Sequence, residues 1–243
     1  MHTINYHNIS ISLQDNTAAN TNESVAISLI KTEESAKPFD SQPHFAKKIK
    51  VAIESKKTEI FSFFTEKQHI VIANTSDETE KWRIAGANLY KKLKTEKVET
   101  AHFLGLNDLN STLKNAFLEG LILSSYHFDK YKKDAKSEVI AISIAKSDFS
   151  ETELTELINL TDAVLQTKTM VNEPVNFLDA VKFGELTIEA GKAFGFDTEI
   201  LHKKEIEALK MGGLLGVNQG STTPPTFNIM NYKPANAVNT KPL

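Results

Sequence analysis

The stretch HIVIANTSDETEKWRIAGANLYKKLK, His69 to Lys94, decides the fold class. Its opening, His69 to Asn74, is a short β-branched apolar run that reads as a strand. Ser76, followed three residues later by Thr79, marks a helix start, and Asp77, Glu78 and Glu80 place negative charge where a helix N-terminus favours it. Trp82, Ala85, Leu89 and Leu93 then recur at helical spacing, with Lys91, Lys92 and Lys94 gathered at the far end. A strand running straight into an amphipathic helix is the repeating part of a sheet covered by helices.

The same alternation extends in both directions. VAISLI (Val25 to Ile30) and EIFSFF (Glu59 to Phe64) read as strands, as do Val98 to Leu104 and Glu138 to Ala145, with a helix between them from about Leu109 to Ser125. The fold class is therefore α/β, a mixed sheet flanked by helices. Residues 150–169 read as one long helix opened by a Ser150–Glu153 capping box and closed ahead of Asn172-Glu173-Pro174, because proline disfavours helical geometry in the residue before it. Beyond it lie a helix over 178–194 ended by Gly195, a strand at Asp197 to Leu201, and a short helix from Lys203 to Lys210 stopped by Gly212-Gly213. LLGVNQ (Leu214 to Gln219) and TFNIMNY (Thr226 to Tyr232) read as two further strands. The expected domains are 1–149, a connector helix over 150–170, and an incomplete second α/β domain over 171–243. The first of these is expected to fold by itself.

Composition excludes several classes of protein. Of 243 residues, 40% are hydrophobic and 24% charged, enough for a buried core. There is no cysteine, which removes disulfide frameworks, thiolate nucleophiles and cysteine-ligated zinc. The net charge is −3, and Arg83 is the single arginine among 28 basic residues. Arginine's planar fork is what reads phosphate and guanine in pairs of bonds, so a nucleic-acid partner is not expected. The N-terminus carries no basic segment followed by a sustained apolar one, and the longest apolar-rich run, Val139 to Ala145, is far short of the ~20 residues that cross a bilayer. A cytoplasmic protein without a membrane partner is expected.

Two stretches, read together, resemble a known family. One is NAFLEGLILSSYHFDKYK (Asn115 to Lys132); the other is MVNEPVN (Met170 to Asn176), continuing through MGGLLGVNQGSTTPPTFNIMNY (Met211 to Tyr232). Their order and spacing resemble the leucyl aminopeptidase, or cytosol aminopeptidase, family, the first at the end of its N-terminal domain and the second at the opening of its catalytic domain. The resemblance covers roughly a hundred residues, and it departs from the family at the arginine usual before Asn-Glu-Pro, which either stands here as Lys168 or has been lost. It implies a metallo-aminopeptidase, a hydrolase that releases N-terminal amino acids from peptide substrates. Two divalent metal ions, manganese or zinc, and a hexamer are implied for a full-length member. In such a member a metal-bridged hydroxide would attack the scissile carbonyl. The family's ligands lie in Gly-Lys-Gly…Phe-Asp-[Ser/Thr]-Gly-Gly and Asn-Thr-Asp-Ala-Glu-Gly-Arg segments, and neither occurs between Met1 and Leu243. The expectation is a chain truncated before the metal-ligand motifs, with no catalytic or metal-binding residue of its own, no metal of its own, and no activity. The rival reading is a non-catalytic binding or assembly module built on the N-terminal domain.

The remaining candidates carry plainer readings. Asn159-Leu160-Thr161-Asp162-Ala163 imitates the second segment inside a helix, without Glu-Gly-Arg. His2, His7, His44, His69, His102, His127 and His202 include no pair four apart, so no two share a helix face as metal ligands. Gly212, Gly213, Gly216 and Gly220 match no phosphate-loop spacing, and Gly220-Ser221 with Pro224-Pro225 reads as a loop. Glu151, Glu153 and Glu156 suit the start of a helix, and Lys130, Lys132 and Lys133 among Tyr126, Phe128 and Tyr131 suit a solvated surface.

Overall fold

The structure, a computed structural model, describes residues 3–6, 8–15, 24–65, 67–106, 108–133, 138–239 and 241. It divides into two units, 1–168 and 169–243.

The first unit holds seven strands, β1 (Thr3–Tyr6), β2 (Ile9–Gln14), β3 (Val25–Ile30), β4 (Glu59–Phe64), β5 (Gln68–Ala73), β6 (Thr100–Phe103) and β7 (Ile140–Ala145). They lie in the order β1-β2-β7-β6-β3-β5-β4, with parallel pairing throughout the interior and antiparallel strands at both edges. Parallel interior strands are buried on both faces, which is why β3 and β5 are near-continuous apolar runs. Successive residues of β5 divide between the faces accordingly. Ile70 and Ile72 enter one core, and Val71 and Ala73 enter the other.

The larger core lies under α3 (Thr79–Thr95), α4 (Ser111–Ser124) and α5 (Glu151–Asn172) and joins Trp82, Leu89, Phe103, Phe117 and Leu121 to the isoleucines of β2 and β7. The smaller core lies under the short α1 (Glu33–Ala36), a 3₁₀ turn at Lys37–Phe39, and α2 (Pro43–Ser55). Here Phe45 stacks on Phe63 at 3.8 Å, and Phe63 stacks on His69 at 4.9 Å. Leu154, Leu157 and Leu165 of α5 are 1–4% exposed and belong to the larger core, so the helix expected to connect two domains packs as part of the first.

The second unit contains α6 (Ala180–Phe194), β8 (Asp197–Leu201), α7 (Lys203–Ala208), α8 (Gly212–Asn218) and β9 (Phe227–Asn231), with β8 and β9 paired antiparallel. Gly195 closes α6 in the left-handed conformation that its lack of a Cβ permits, as its place after the last apolar residue predicts. The expectation of a strand at Leu214 to Gln219 fails. Gly212 and Gly213 open α8 rather than break the chain, because neither adopts a positive φ and backbone bonds such as Leu215 N–H to Met211 C=O close the first turn. β9 is mostly exposed, with Met230 58% and Tyr232, just beyond it, 69% accessible.

Candidate functional site

The motif Asn115 to Lys132 begins inside α4, and its glycine has a geometric duty. α3 and α4 cross where Gly86 lies against the carbonyl of Phe117 and Gly120 against the carbonyl of Arg83. A Cβ at either glycine would come within 1.9 Å of that oxygen. Beside the crossing, Arg83 pairs with Glu119 at 3.0 Å and with Glu80. The Gly-Leu-x-Leu signature thus records a backbone-to-backbone approach, and the glutamate before it anchors the one arginine.

After α4 the motif's second half turns back across the N-terminal ends of the parallel strands. His127, Asp129 and Lys132 there meet Tyr90 and Lys94 of α3, together with Glu138, around a cavity of about 600 Å³. Tyr90, whose hydroxyl is hydrogen-bonded to Asn8, titrates above its ordinary range because burial disfavours its charged form. Asn8 in turn donates from Nδ2 to the Ser125 carbonyl at 3.2 Å. The lining carries both signs of charge and no convergent carboxylate set. Lys168 lies over the ring of Tyr126 at 4.3 Å, and its Nζ donates to the Leu123 carbonyl at 3.4 Å. Lys168 therefore holds the end of α4 by a cation–π contact and a hydrogen bond.

The other sequence candidates take structural places. Thr161 is buried with its hydroxyl donating to the Leu157 carbonyl at 2.8 Å, and Asp162 accepts from Gln166 on the helix surface, so this imitation of a ligand segment is one turn of α5. The Ser150–Glu153 capping box forms as its spacing predicts. Backbone and hydroxyl donation from Ser150 hold the Glu153 carboxyl below its ordinary range. Among the described residues no group of three or more histidines, aspartates or glutamates is placed to hold a metal ion. No helix among the described residues is long and apolar enough to cross a membrane.

Two histidines come together that spacing along the chain could not pair. His69 of β5 and His102 of β6 both register with Ala26 of β3, so they flank it on one face of the sheet. His102 Nδ1 lies 2.9 Å from the Ser24 hydroxyl, and His69 Nδ1 is buried without a hydrogen-bond partner among the described residues. Burial lowers the pKa of each, and Lys67 adds repulsion against a second positive charge; His69 also lowers that of His102. The unfolded chain thus takes up these protons at higher pH than the folded one. Their contribution to stability is intact above the ordinary histidine value of 6.5 and is lost as pH falls through the lower folded values. Urea midpoints measured downward from pH 7.5 are expected to fall, and the double variant His69→Gln/His102→Gln is expected to flatten that decline. An unchanged slope in the double variant would place the titration elsewhere.

Sequence reasoning missed Asp148. Its buried carboxylate accepts from the Leu106 N–H at 3.0 Å, while Lys114 donates to its backbone carbonyl at 2.8 Å. Only the fold brings those residues, some forty apart, to one point.

Two family models match this chain. One, described as the cytosol aminopeptidase family N-terminal domain, covers residues 74–135; the other, described as that family's catalytic domain, covers residues 166–243. A probable cytosol aminopeptidase of Chlorobium limicola is 34% identical over 180 residues, which are 65% of this chain and 36% of the relative. One from Aquifex aeolicus is 31% identical over 159 residues, 63% of this chain and 32% of the relative. The chain spans about a third of the length of these curated relatives. Among solved structures, a mutant of tomato leucine aminopeptidase superposes with a TM-score of 0.70 at 15% identity, over 92% of this chain and 50% of that one. The bottromycin maturation enzyme BotP in complex with Mn gives 0.65 at 16% identity, over 88% of this chain and 46% of that one. At such identities the likeness is one of fold. The two family models together take in more than half of the residues, N-terminal domain first and catalytic domain second, and on that ground the chain belongs to the cytosol aminopeptidase family.

Proposed function

We propose that this chain is the N-terminal portion of a cytoplasmic metallo-aminopeptidase that releases N-terminal amino acids from peptides with two divalent metal ions, manganese or zinc, and assembles as a hexamer. The observation that carries the reading is the position of the two family matches, one within the sheet-and-helix unit and one across the second unit. On this reading residues 1–149 with the helix after them form the N-terminal domain, and 171–243 form the beginning of the catalytic domain. The residues that would hold the metals and polarise the scissile carbonyl belong to segments outside Met1 to Leu243.

Two measurements test it. Reading the encoding DNA past the Leu243 codon is expected to reveal an open frame running into a Gly-Lys-Gly…Phe-Asp-x-Gly-Gly segment. A stop codon there would overturn the reading in favour of a binding or assembly module. The 243-residue chain itself, purified and supplied with Mn²⁺ or Zn²⁺ and a leucyl chromogenic substrate, is expected to give no turnover above buffer. Saturable, metal-dependent hydrolysis that survives repurification would mean that a ligand set exists within these residues.

A further inference from the structure

The seven-stranded sheet ends on β4, whose outer edge pairs with no strand among the described residues. Along an antiparallel edge strand, every second residue turns both its N–H and its C=O away from the sheet. Natural sheets guard such edges with lysines, prolines, bulges or inward-facing charge. β4 has none of these. It reads Glu-Ile-Phe-Ser-Phe-Phe, with its one charge at the first position, and it follows β5 in unbroken register from Glu59↔Ala73 to Phe64↔Gln68. Phe64 is 72% exposed although it ends a strand of a well-buried sheet.

The order of residues in β4 also selects the occupant. Side chains alternate between faces, so two copies related by a two-fold axis normal to the sheet keep their faces matched only if the axis passes through a residue. With the axis at Ser62, that serine meets the partner's Ser62, Ile60 meets the partner's Phe64, and Phe61 meets the partner's Phe63. One face then carries isoleucine and phenylalanine from both copies, and the exposed Phe64 ring is covered. The small residue falls at the crowded centre, with its hydroxyl already donating to Glu96 at 2.8 Å. Moving the axis to Phe61 would set Glu59 against the partner's Phe63, a carboxylate against a ring.

We propose that β4 is a self-association edge, on which a second copy of this chain adds its own β4 antiparallel, centred on Ser62, to make one continuous sheet. The inference is independent of the peptidase reading. Strand addition draws its affinity from main-chain hydrogen bonds, and six residues make an interface at the small end of the range, so the dimer forms reversibly with concentration.

Sedimentation velocity over a wide concentration range is expected to show monomer–dimer exchange. Phe64→Lys, at an exposed position, is expected to raise the midpoint concentration at least about tenfold, with the thermal midpoint unchanged. The chain lacks cysteine, so a single introduced thiol reports the register. Directly opposed Cβ atoms lie about 4.5–5.5 Å apart, near enough to bridge after a small adjustment, whereas diagonal ones do not. Ser62→Cys is therefore expected to give a covalent dimer on mild oxidation at least about ten times faster than Phe61→Cys. A chain that stays monomeric throughout, a dimer that survives Phe64→Lys, or equal cross-linking at the two positions would overturn the proposal.

Discussion

Ending the chain at residue 149 is expected to abolish cooperative unfolding of the first unit, and ending it at residue 168 to preserve it. Read from sequence, residues 1–149 hold a complete run of strands and covering helices and are expected to fold alone. The structure places three leucines of α5 in the larger core, beside Phe149 and against the sheet. Removing one buried leucine side chain costs about 2–5 kcal/mol, counting the transfer and the void left behind. Three together come to roughly 6–15 kcal/mol, against a net stability of about 5–15 kcal/mol for a whole domain. Urea melts followed by circular dichroism at 222 nm decide between the outcomes. A cooperative transition for 1–149 with the midpoint of 1–168 would mean that α5 is a tether and not part of the core.

Gly120→Ala is expected to lower the stability of the first unit by about 3 kcal/mol or more, although alanine is ordinarily the better helix former. The added methyl would stand 1.9 Å from the Arg83 carbonyl oxygen, a distance that no rotamer relieves because both atoms belong to rigid elements. The helices must part, and parting them strains Trp82 against Phe117, whose rings meet edge-on at 6.1 Å. In a unit of this size the loss corresponds to a fall of roughly 6–12 °C in the thermal midpoint. Gly86→Ala is expected to act alike, and the double variant to cost less than the sum, since the first methyl already makes room for the second. Gly213→Ala is the control, because nothing lies near its Cβ position and φ there is not positive. Equal effects at Gly120 and Gly213 would show that helix propensity, not the crossing, governs both.

What could be read from sequence divides along physical lines. β3 and β5 were legible because a strand buried on both faces must be apolar nearly throughout, and β7 because its buried isoleucines alternate with smaller, more exposed residues. α3, α4 and α5 were legible because their apolar spacing and, at Ser150 with Glu153, their caps are local. The helix over 212–218 was misread because two adjacent glycines signal a break unless the backbone angles are known. The resemblance was legible in residues such as Gly120, whose work at a helix crossing is now visible. The cavity beside Tyr90 was not legible, since its walls come from segments between Asn8 and Ile140 that only the fold assembles. The His69–His102 arrangement was hidden for the same reason: its common reference is Ala26, on a third strand.

The sheet order also sets a timetable. β2 pairs with β7, Ile9 opposite Ile140, whereas β3, β4 and β5 find one another within about fifty residues of chain. On a ribosome adding about 5–20 residues each second, the β1–β2 ribbon emerges ahead of β7 and waits on the order of ten seconds for that neighbour to be made. A lone two-stranded ribbon is at best marginally stable in water. During that interval Ile9, Ile11 and Leu13, later among the most deeply buried residues, have no sheet to join. The β1–β2 ribbon is thus made well ahead of the strand that secures it, and in the nascent chain its isoleucines and leucine stay open to misassociation until β7 arrives.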